Sequence, residues 1–384
     1  MPTKNLEEDL FHVKKVLFVS HTANFSKFNR PFMRWFQEQG YTVHYASAGE
    51  EQVLDCDRHF VIPFERSPFS LKNVQAYRQL KQVIDRENYK LIHCHTPVGG
   101  VVTRLAARQA RKRGTKVLYT AHGFHFFKGA PLKNWLLFYP VEKWMARYTD
   151  CLIVMNGEDF ATAEHKRFPA GHIEKIDGVG VDLTKFSPVL TEQKNSLRKQ
   201  YGYAEKDFIL IYIAEFIPRK NHAFILSQLP QMKKKIGDLR VIFAGKGDLL
   251  EESKQRAKEL GVDDICAFLG YRRDVDALLD ISDVLISSSR QEGLPINVIE
   301  GMACGLPIVC AKIRGQVDVI VDGENGFLYD VDDENGFCRA ICDLYEDPSM
   351  RTAIGKRNTI DVQKYALDRA VESMADIYRS FLEE

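Results

Sequence analysis

The sequence has no apolar run long enough to cross a membrane. Its longest runs, such as 16–19 and 152–155, are strand-length, whereas a spanning helix needs about 20 residues. Residues 1–13 are polar and acidic, so no secretory signal is expected. The eight cysteines are scattered and none forms a C-x-x-C pair, which favours reduced core thiols over disulfides or zinc. These absences predict a cytoplasmic protein and disfavour a periplasmic sugar-binding protein.

The length and the charge of the chain set further bounds. With 384 residues, 45% of them hydrophobic, the chain can form two or three domains with full cores. The net charge of +1 conceals an asymmetry: residues 1–190 have 27 basic and 19 acidic residues, or +8, and residues 191–384 have 26 and 33, or −7. The two halves therefore differ strongly in charge.

A basic patch accounts for much of the positive charge of the first half. It lies on a predicted helix and the turn after it. Such a patch is compatible with a solvated face, an anionic membrane surface or a phosphorylated substrate. Nucleic acid is disfavoured because no known binding motif accompanies the patch. Its members are Arg104, Arg108, Arg111, Lys112, Arg113 and Lys116.

The first half alternates strand-length apolar runs with longer amphipathic segments. This alternation is typical of a doubly wound, mostly parallel α/β sheet. The predicted strands are 16–20, 43–47, 91–95, 117–120 and 152–156, and the predicted helices are 31–39, 74–86, 98–113, 132–147 and 158–168.

The alternation stops near residue 179 and restarts near residue 208, which predicts a second doubly wound domain. We therefore predict domains at 1–188 and 189–360, and a C-terminal helix at 361–384 that packs back on the first domain. Since open α/β sheets bind ligands beyond the carboxyl ends of their strands, two such sheets imply a cleft. The predicted strands of the second domain are 208–214, 241–244, 265–269, 284–287 and 307–311.

The segment EGLPINVIE places Glu292 just before a predicted helix and Glu300 about a turn and a half inside it. Pro295 favours a helix start because its fixed φ suits the first turn. Free N–H groups at Gly293, Leu294 and Ile296, with the positive end of the helix dipole, would attract a phosphate. The two carboxylates would accept hydrogen bonds from sugar or ribose hydroxyls. A solvated helix with two surface glutamates explains the segment equally well.

Polar groups follow three predicted strands of the second domain. Arg219 and Lys220 follow the first of them, where a cationic pair can neutralise a diphosphate. Gly245 and Gly247 follow the next, where glycines let the backbone approach a ligand closely. The third leads through a serine-rich turn into Glu292. Their order along one sheet favours a single anion-binding site.

These motifs resemble the donor-side signature of the family 4 glycosyltransferases. That family comprises retaining, sugar-nucleotide-dependent enzymes with the two-domain GT-B fold. The chain is especially similar to the bacterial branch that assembles capsular and exopolysaccharides. The resemblance covers nearly the whole chain and is specific for the fold and the reaction class, but weak for the sugar. It rests on residues 91–97, 120–126, 178–186, 268–270, 292–295, 300–307 and 323–328.

The resemblance implies roles for particular residues. Lys220 matches the lysine that holds the donor diphosphate. Glu292 matches the acid that contacts hydroxyls of the transferred sugar, and Glu300 the acid that binds the ribose. His122 matches a first-domain histidine that orients donor and acceptor near the reaction centre. The remaining expected donor contacts are Arg219, Gly245, Gly247, Gly293, Leu294 and Pro295.

The chain departs from the family pattern at two places. Glu215 stands near the position where many relatives carry an arginine, so a second cation on the diphosphate must come from elsewhere. Arg219 is the nearest candidate, although a helix start equally allows it to point to solvent. The loop 20–29 lacks the glycine pair common in the family, which leaves its acceptor contacts open.

The histidines have competing interpretations. His93 and His95 alternate on a strand and are expected to face opposite sides, one of them as a polar core residue. His122 follows a strand and precedes a glycine, which favours a functional role. For His125 a local structural role and a functional role are equally open. A zinc site is not expected, because no cysteine or acid lies at ligand spacing.

Two Asp-x-Asp segments, 274–276 and 330–332, have the form that holds a divalent cation in the other large glycosyltransferase fold. Both precede predicted helices, where Asp is a common N-cap, so capping is the expected role. No metal and no prosthetic group is expected, because cations and a helix dipole can neutralise the leaving diphosphate.

The expected reaction is transfer of a hexosyl or N-acetylhexosaminyl group from a UDP-sugar to an acceptor hydroxyl, with retention implied by the resemblance. The basic patch suggests a lipid-linked acceptor at the inner face of the cytoplasmic membrane. A sugar-nucleotide 2-epimerase of the same architecture and a catalytically silent glycosyltransferase-like subunit are the alternatives. The first would bring additional acids for proton abstraction, and intact Lys220, Glu292 and Glu300 argue against the second.

Overall fold

The computed structural model describes residues 14–383, which form two compact units. The first unit contains the chain up to Gly180 and the segment from Leu367 onward, and the second contains Val181–Ala366. Each unit is a parallel sheet, and helices join most of its strands. The predicted fold class, two doubly wound α/β domains, is confirmed.

The first unit has a seven-stranded sheet in the order β3-β2-β1-β4-β5-β6-β7. All neighbouring strands in it are parallel. The strands are β1 (Lys15–Val19), β2 (Thr42–Ser47), β3 (Arg58–Val61), β4 (Leu91–His95), β5 (Lys116–Ala121), β6 (Cys151–Val154) and β7 (His172–Lys175). The helices are α1 (Arg30–Glu38), α2 (Lys72–Glu87), α3 (Pro97–Ala106), α4 (Arg108–Lys112), α5 (Leu132–Ala146), α6 (Gly157–His165) and, from the end of the chain, the helix Leu367–Leu382.

The second unit has a six-stranded parallel sheet in the order β10-β9-β8-β11-β12-β13. Its strands are β8 (Phe208–Ile213), β9 (Leu239–Ala244), β10 (Cys266–Phe268), β11 (Val284–Ser287), β12 (Ile308–Ala311) and β13 (Phe327–Tyr329). Its helices are α7 (Thr191–Gln200), α8 (His222–Lys235), α9 (Leu250–Glu259), α10 (Val275–Asp280), α11 (Ile296–Ala303), α12 (Glu334–Glu346) and α13 (Pro348–Asp361), and the helix Leu367–Leu382 is therefore α14.

The central strands are buried along most of their length, as expected for parallel strands covered on both faces. In β1, for example, the four residues 16–19 are fully buried. The edge strands β3 and β7 are partly exposed. The sheet interior therefore positions the carboxyl ends of the central strands firmly, and the polar residues discussed below follow those ends.

Residues 181–188 lie in the second unit, although the sequence suggested that the first domain continues to residue 188. The N–H of Val181 donates to the carbonyl of Tyr365 at 2.9 Å, and Val181 and Phe186 pack into the second core. The chain then returns to the first unit at Leu367, whose Cα would lie 2.7 Å from a Cβ placed on Gly180. The chain thus passes from the first unit to the second after Gly180 and back at Leu367, and these two crossing segments lie side by side.

Helix α14 packs on the first unit through Tyr378. This ring lies 4.6 Å from Phe36 and 5.6 Å from Trp35 of α1, measured between centroids. Its hydroxyl is 2.8 Å from Nδ1 of His93 on β4. The last helix therefore completes the face of the first sheet that carries the histidines.

Candidate functional site

In the second unit, the loops that follow β8 and β11 are tied to each other. These strands are neighbours in the sheet, so their carboxyl ends lie side by side. The carbonyl of Lys220 accepts hydrogen bonds from the hydroxyls of Tyr212 (2.7 Å) and Ser288 (3.1 Å). The N–H of Arg290 donates to the carbonyl of Arg219 at 2.8 Å. The backbone at Lys220 is therefore fixed by three residues from outside its own loop.

The side chains of Lys220 and Glu292 form an ion pair. They are only 12% and 8% exposed, respectively. Separating the two groups of a buried pair would leave each charge uncompensated, which is strongly unfavourable. The pairing therefore holds both side chains in place. An ammonium carries three N–H donors, so Lys220 can keep its bond to Glu292 and still donate to a bound anion. The structure thus brings together two residues that the sequence places 72 positions apart.

Arg314 and Gly315, which the sequence did not single out, contact the backbone of Glu292 and Gly293. Nε of the buried Arg314 donates to the carbonyl of Glu292 at 3.1 Å. Gly315 has a φ of +82°, and a Cβ there would lie 2.6 Å from the carbonyl oxygen of Gly293. A basic residue beside a glycine gave no sequence signal for this role, because the partner is a backbone carbonyl.

Helix α11 begins at Ile296, one residue later than the sequence suggested, with Pro295 as its N-cap. The carbonyl of Pro295 accepts from the N–H groups of Val298 (3.0 Å) and Ile299 (3.2 Å). Glu300 lies in the second turn and is half-buried. The positive end of the α11 dipole thus lies next to the loop that carries Glu292.

Gly245 and Gly247 lie directly after β9, against the loop that follows β8. A Cβ on Gly245 would lie 1.8 Å from the carbonyl oxygen of Ala214, and one on Gly247 would lie 2.5 Å from that of Phe216. The N–H of Phe216 donates to the carbonyl of Lys246 at 2.9 Å. Contact between two loops of the protein therefore already requires both glycines, and their contact with a donor stays a prediction.

Glu215 and Arg219 are both exposed. The guanidinium of Arg219 approaches the carbonyl of Gln291 at 3.4 Å, at the edge of the Glu292 loop. The side chain of Arg219 is thus held near the ion pair of Lys220 by one weak contact. Its expected contact with a diphosphate is a prediction that this geometry permits.

In the first unit, β4 and β5 are neighbouring strands. His95 is the last residue of β4, and His122 directly follows the last residue of β5. Nδ1 of His95 lies 3.2 Å from Nε2 of His122. His95 is 2% exposed, whereas His122 is half-buried. The ring of Phe25 packs edge-on against His122, with 4.8 Å between centroids. Phe25 belongs to the loop 20–29, and sequence reasoning did not single it out.

Both imidazoles are neutral at physiological pH. Burial lowers the pKa of His122 to about 4. Burial, with smaller contributions from the neighbouring histidines, lowers the pKa of His95 well below its usual value. Among residues 14–383, Nε2 of His95 has no hydrogen-bond partner. A buried N–H without a partner is rarer than a buried acceptor without one, so this geometry favours His95 as the tautomer that donates from Nδ1 to His122.

The expectation that His93 and His95 face opposite sides of the strand is wrong. Their rings are 4.2 Å apart between centroids, because residues two apart on a strand share a face. His93 is a core residue: its Nε2 lies 2.7 Å from the hydroxyl of Thr120, and its Nδ1 bonds to Tyr378. The ring of His125 packs against Phe138 at 4.7 Å.

Helix capping was the expected role of the two Asp-x-Asp segments, but neither Asp274 nor Asp332 caps a helix with its side chain. The carboxylate of Asp274 binds Arg272 and the hydroxyl of Tyr201, the latter at 2.6 Å. Asp332 binds Arg290 at 2.8 Å, and the carboxylate that caps α12 is that of Asp333. A nearby cation attracts each carboxylate away from the backbone. Within the described part of the chain, no group of three or more His, Cys, Asp or Glu side chains could hold a metal ion.

The predicted basic patch is smaller than the sequence suggested, because Arg104 is buried. Its guanidinium donates to Glu142 at 2.9 Å and to the carbonyl of Gly100 at 3.0 Å, and it lies over the ring of Tyr119. Arg113 pairs with Asp85 at 2.8 Å. Over residues 14–383, the chain forms no helix that is both long and apolar enough to cross a membrane.

Comparison with known sequences places both halves of the chain among related proteins. Residues 15–156 match the family described as "Glycosyl transferase 4-like", and residues 193–360 match "Glycosyl transferases group 1". The chain is 45% identical over 371 residues to "Putative glycosyltransferase EpsD" of Bacillus subtilis (strain 168), covering 96% of this chain and 97% of that protein. It is 25% identical over 330 residues to the UDP-Gal:alpha-D-GlcNAc-diphosphoundecaprenol alpha-1,3-galactosyltransferase of Escherichia coli, covering 84% of each.

Solved structures share the fold over nearly the whole chain. HepE from Anabaena, in complex with UDP and glucose, has a TM-score of 0.80 at 19% identity and covers 96% of this chain and 100% of its own. The sucrose-phosphate synthase from Thermosynechococcus elongatus has a TM-score of 0.80 at 19% identity and covers 96% and 99%. At these identities the likeness shows the fold alone.

Proposed function

Since this chain belongs to the glycosyltransferases, with residues 193–360 in the group 1 family, we propose that it transfers a hexosyl or N-acetylhexosaminyl group from a UDP-sugar to a hydroxyl of a lipid-linked glycan. The observation that carries the proposal is the buried ion pair of Lys220 and Glu292 beside the start of α11. It combines a cation for a diphosphate with an acceptor for sugar hydroxyls in one place.

The donor diphosphate binds where positive charge is already concentrated. Lys220 donates to its oxygens, and the N–H groups that follow Glu292 add the field of the α11 dipole. Because these groups are fixed before the donor arrives, they stabilise the charge that develops on the leaving diphosphate at little reorganisation cost. Glu292 accepts hydrogen bonds from hydroxyls of the transferred sugar, and Glu300 accepts from the ribose.

The resemblance assigns His122 a role in orienting the donor and the acceptor. With His95 donating to its Nε2, the proton of the neutral His122 ring resides on Nδ1. His122 then offers an N–H donor rather than a base to the substrate. This suits a role in holding an oxygen of the donor or acceptor, and the low pKa of His122 keeps that role constant across neutral pH.

The reaction retains the anomeric configuration, as the resemblance to family 4 implies. The acceptor hydroxyl attacks from the leaving-group face, and an oxygen of the donor phosphate takes its proton. A metal ion has no assigned role, because Lys220 and the helix start supply the positive charge. Transfer is therefore expected to persist in the presence of a chelator.

The acceptor is the least constrained element of the proposal. Its support is the name of the Escherichia coli relative, which includes a diphosphoundecaprenol glycan, and the basic surface of the first unit. A lipid-linked acceptor would place the enzyme at the inner face of the cytoplasmic membrane. The surface that would mediate this contact is considered in the next subsection.

A panel of UDP- and GDP-sugars tests the donor class. A donor that binds the native state raises the apparent melting temperature, and a UDP-sugar is expected to give the largest rise. The same donor is then supplied with undecaprenyl-diphosphate-linked N-acetylglucosamine, and the glycolipid product is measured by mass spectrometry. Interconversion of the free UDP-sugar without an acceptor would instead indicate an epimerase. Absence of both a shift and transfer with every sugar nucleotide would contradict the proposal.

A further inference from the structure

Helix α5 exposes an apolar face. Eight positions of the helix and its C-cap are exposed, and at 100° per residue they fall within roughly half of its circumference. Six of them are apolar, two are basic and none is acidic. Leu132 is 73% exposed, Leu136 67% and Leu137 53%. The eight positions, called the α5 face below, are Leu132, Lys133, Leu136, Leu137, Pro140, Val141, Trp144 and Arg147.

The opposite side of α5 already packs on the core of the first unit. Trp135, Phe138 and Tyr139 contact that core, and Met145 is fully buried. A helix with large apolar residues on both sides is expected to be covered on both. The described residues cover one side of α5, so its exposed apolar face is available to a further partner.

A basic cavity adjoins the α5 face. It has a volume of about 350 Å³ and contains Arg147, which belongs to both features. Asp150 is its one acidic residue and pairs with Arg111 at 2.8 Å, so the other three cations remain in excess. The cavity is lined by Arg108, Arg111, Lys112, Arg147, Tyr148 and Asp150.

The charge around the α5 face is strongly positive. Residues 101–150 contain ten Lys or Arg and two acidic residues, Glu142 and Asp150, which gives +8. Glu142 is buried against Arg104, so it does not reduce the charge of the surface beside it. Aromatic rings adjoin the cations: Arg147 lies 5.7 Å from the centroid of Trp144, and Arg108 lies 5.0 Å from that of Tyr148.

We propose that the α5 face inserts into the headgroup region of a bilayer that contains anionic lipid, while the basic cavity binds a lipid phosphate. An apolar helix face with basic flanks and a tryptophan at its edge is suited to the membrane interface. Lys133 can extend its stem along the apolar surface and keep its ammonium at the headgroups. The proposal deepens the proposed function and rests on it for the site of the acceptor, a lipid in the same leaflet.

Charge argues against a second copy of the chain as the partner of the α5 face. In a twofold dimer the same patch lies on both subunits. Lys133, Arg147 and the cavity would then face their own copies without any exposed acid to pair with. An anionic bilayer supplies the opposite charge and the apolar layer together.

Flotation with lipid vesicles tests the proposal on the full chain. Vesicles of phosphatidylcholine with about one third phosphatidylglycerol are compared with vesicles of phosphatidylcholine alone. The protein is expected to float with the anionic vesicles and to dissociate as salt is raised, since screening weakens contacts between exposed charges. Leu136→Glu with Leu137→Glu is expected to lower the partition coefficient about tenfold or more. The control is Leu71→Glu with Leu190→Glu, which adds the same charge at residues that are 85% and 74% exposed. Its partition coefficient is expected to stay within about twofold of the wild-type value.

Two further measurements separate the possible failures. The fluorescence of Trp144, taken as the difference between the protein and its Trp144→Phe variant, is expected to shift to the blue with anionic vesicles. The melting-temperature shift given by UDP is expected to be the same in the Leu136, Leu137 variant, which keeps failure of docking distinct from failure of donor binding. Wild-type protein that does not float, or a Leu136, Leu137 variant that floats as well as wild type, would overturn the proposal. A change from dimer to monomer in that variant, without vesicle binding by the wild type, would assign the α5 face to self-association instead.

Discussion

The ammonium of Lys220 and the carboxylate of Glu292 form a buried ion pair that joins the loops after two adjacent strands, β8 and β11. Neither residue is held by its own loop alone, since Ser288 and Arg314 fix the backbone on either side. The pair is thus both a structural link and the proposed centre of donor binding. These two functions can be separated by experiment.

Lys220→Met is expected to lower kcat/KM for transfer by about 10²–10³-fold, because a preorganised charge on the leaving diphosphate is lost. It also leaves Glu292 buried without its cation, at a cost of about 3–5 kcal/mol in the free energy of unfolding. Adding Glu292→Leu is expected to restore part of that stability without restoring transfer. Urea unfolding and initial rates of Lys220→Met, Glu292→Leu and the double variant measure both effects. Strict additivity of the two stability changes would contradict a coupled pair, and Arg219→Met is the exposed control for the unfolding measurement alone.

Glu300→Ala is expected to weaken the binding of UDP by about 10- to 100-fold, because the ribose loses a charged acceptor worth about 1.5–3 kcal/mol. The rate at saturating donor is expected to change less, since the ribose lies away from the bond that breaks. Titration calorimetry with UDP measures the affinity. Glu300→Gln keeps one acceptor oxygen, so its affinity for UDP is expected to lie between that of the wild type and that of Glu300→Ala. An unchanged affinity in the alanine variant would remove Glu300 from the donor site.

His122→Ala is expected to reduce transfer while leaving the UDP-induced rise in melting temperature intact. The matched test of the tautomer lies at His95. His95→Asn places an amide donor near the position of Nδ1 and is expected to retain much of the rate, whereas His95→Leu removes the bond to His122 and is expected to lose most of it. Equal rates in the two His95 variants would show that His122 is not oriented by this hydrogen bond.

Stability is expected to fall as the pH is lowered from about 6.5. Burial, with the nearby Lys220 charge, lowers the pKa of His222 to about 3, from an ordinary value of 6.5. Between these values the unfolded chain binds a proton that the folded chain does not, so stability present at neutral pH is lost on acidification. Each such group contributes a slope of up to about 1.4 kcal/mol per pH unit. His93, with a pKa lowered to about 3 by burial, acts in the same direction.

The variant His222→Phe is expected to flatten this dependence. His222 is 4% exposed and stacks on Phe216 at 3.9 Å, so an aromatic ring without ionisable nitrogens suits its site. Melting temperatures between pH 4.5 and pH 7.5 measure the slope. The exposed His165 provides the control, because His165→Gln is expected to leave the profile unchanged. A profile identical to wild type in His222→Phe would exclude His222 as a source of acid sensitivity.

Gly245→Ala is expected to lower both the melting temperature and the affinity for UDP. Its Cβ would lie 1.8 Å from the carbonyl oxygen of Ala214, so the loops after β8 and β9 must separate. The control is Gly237→Ala, where a Cβ meets nothing within 4 Å and little change is expected. Differential scanning fluorimetry with and without UDP gives both quantities. Wild-type values for Gly245→Ala would show that the two loops can part without consequence.

The central strands and the two-domain architecture were predictable because buried parallel strands appear in a sequence as continuous apolar runs. Three edge strands, β3, β7 and β13, were not predicted, whereas the fourth, β10, was predicted as 265–269. On β3 and β7 the reason is the opposite one: an edge strand has one neighbour and less burial, so it tolerates exposed polar residues such as Arg58 and Glu174. These residues interrupt the apolar run. The division of helix 98–113 into α3 and α4 at Ala107 likewise has no Gly or Pro to mark it.

Side-chain partners at the candidate site were less predictable than the positions of the residues. The sequence placed Lys220 and Glu292 at strand ends, but not in contact with each other. It suggested a surface position for Arg104, although the buried partner Glu142 is 38 residues away. Asp274 was expected to cap a helix, but Arg272 and Tyr201 attract its carboxylate. In each case a long-range or competing electrostatic partner decided the outcome.

Helix α14, the last helix of the chain, belongs to the unit that begins it. On the ribosome, the first unit therefore lacks the hydroxyl of Tyr378 beside His93 until synthesis is nearly finished. The second unit, by contrast, has all of its strands as soon as Tyr329 has emerged. The half of the protein that is made first is thus the half that is completed last, and a chain that ends early lacks part of the support for its histidines.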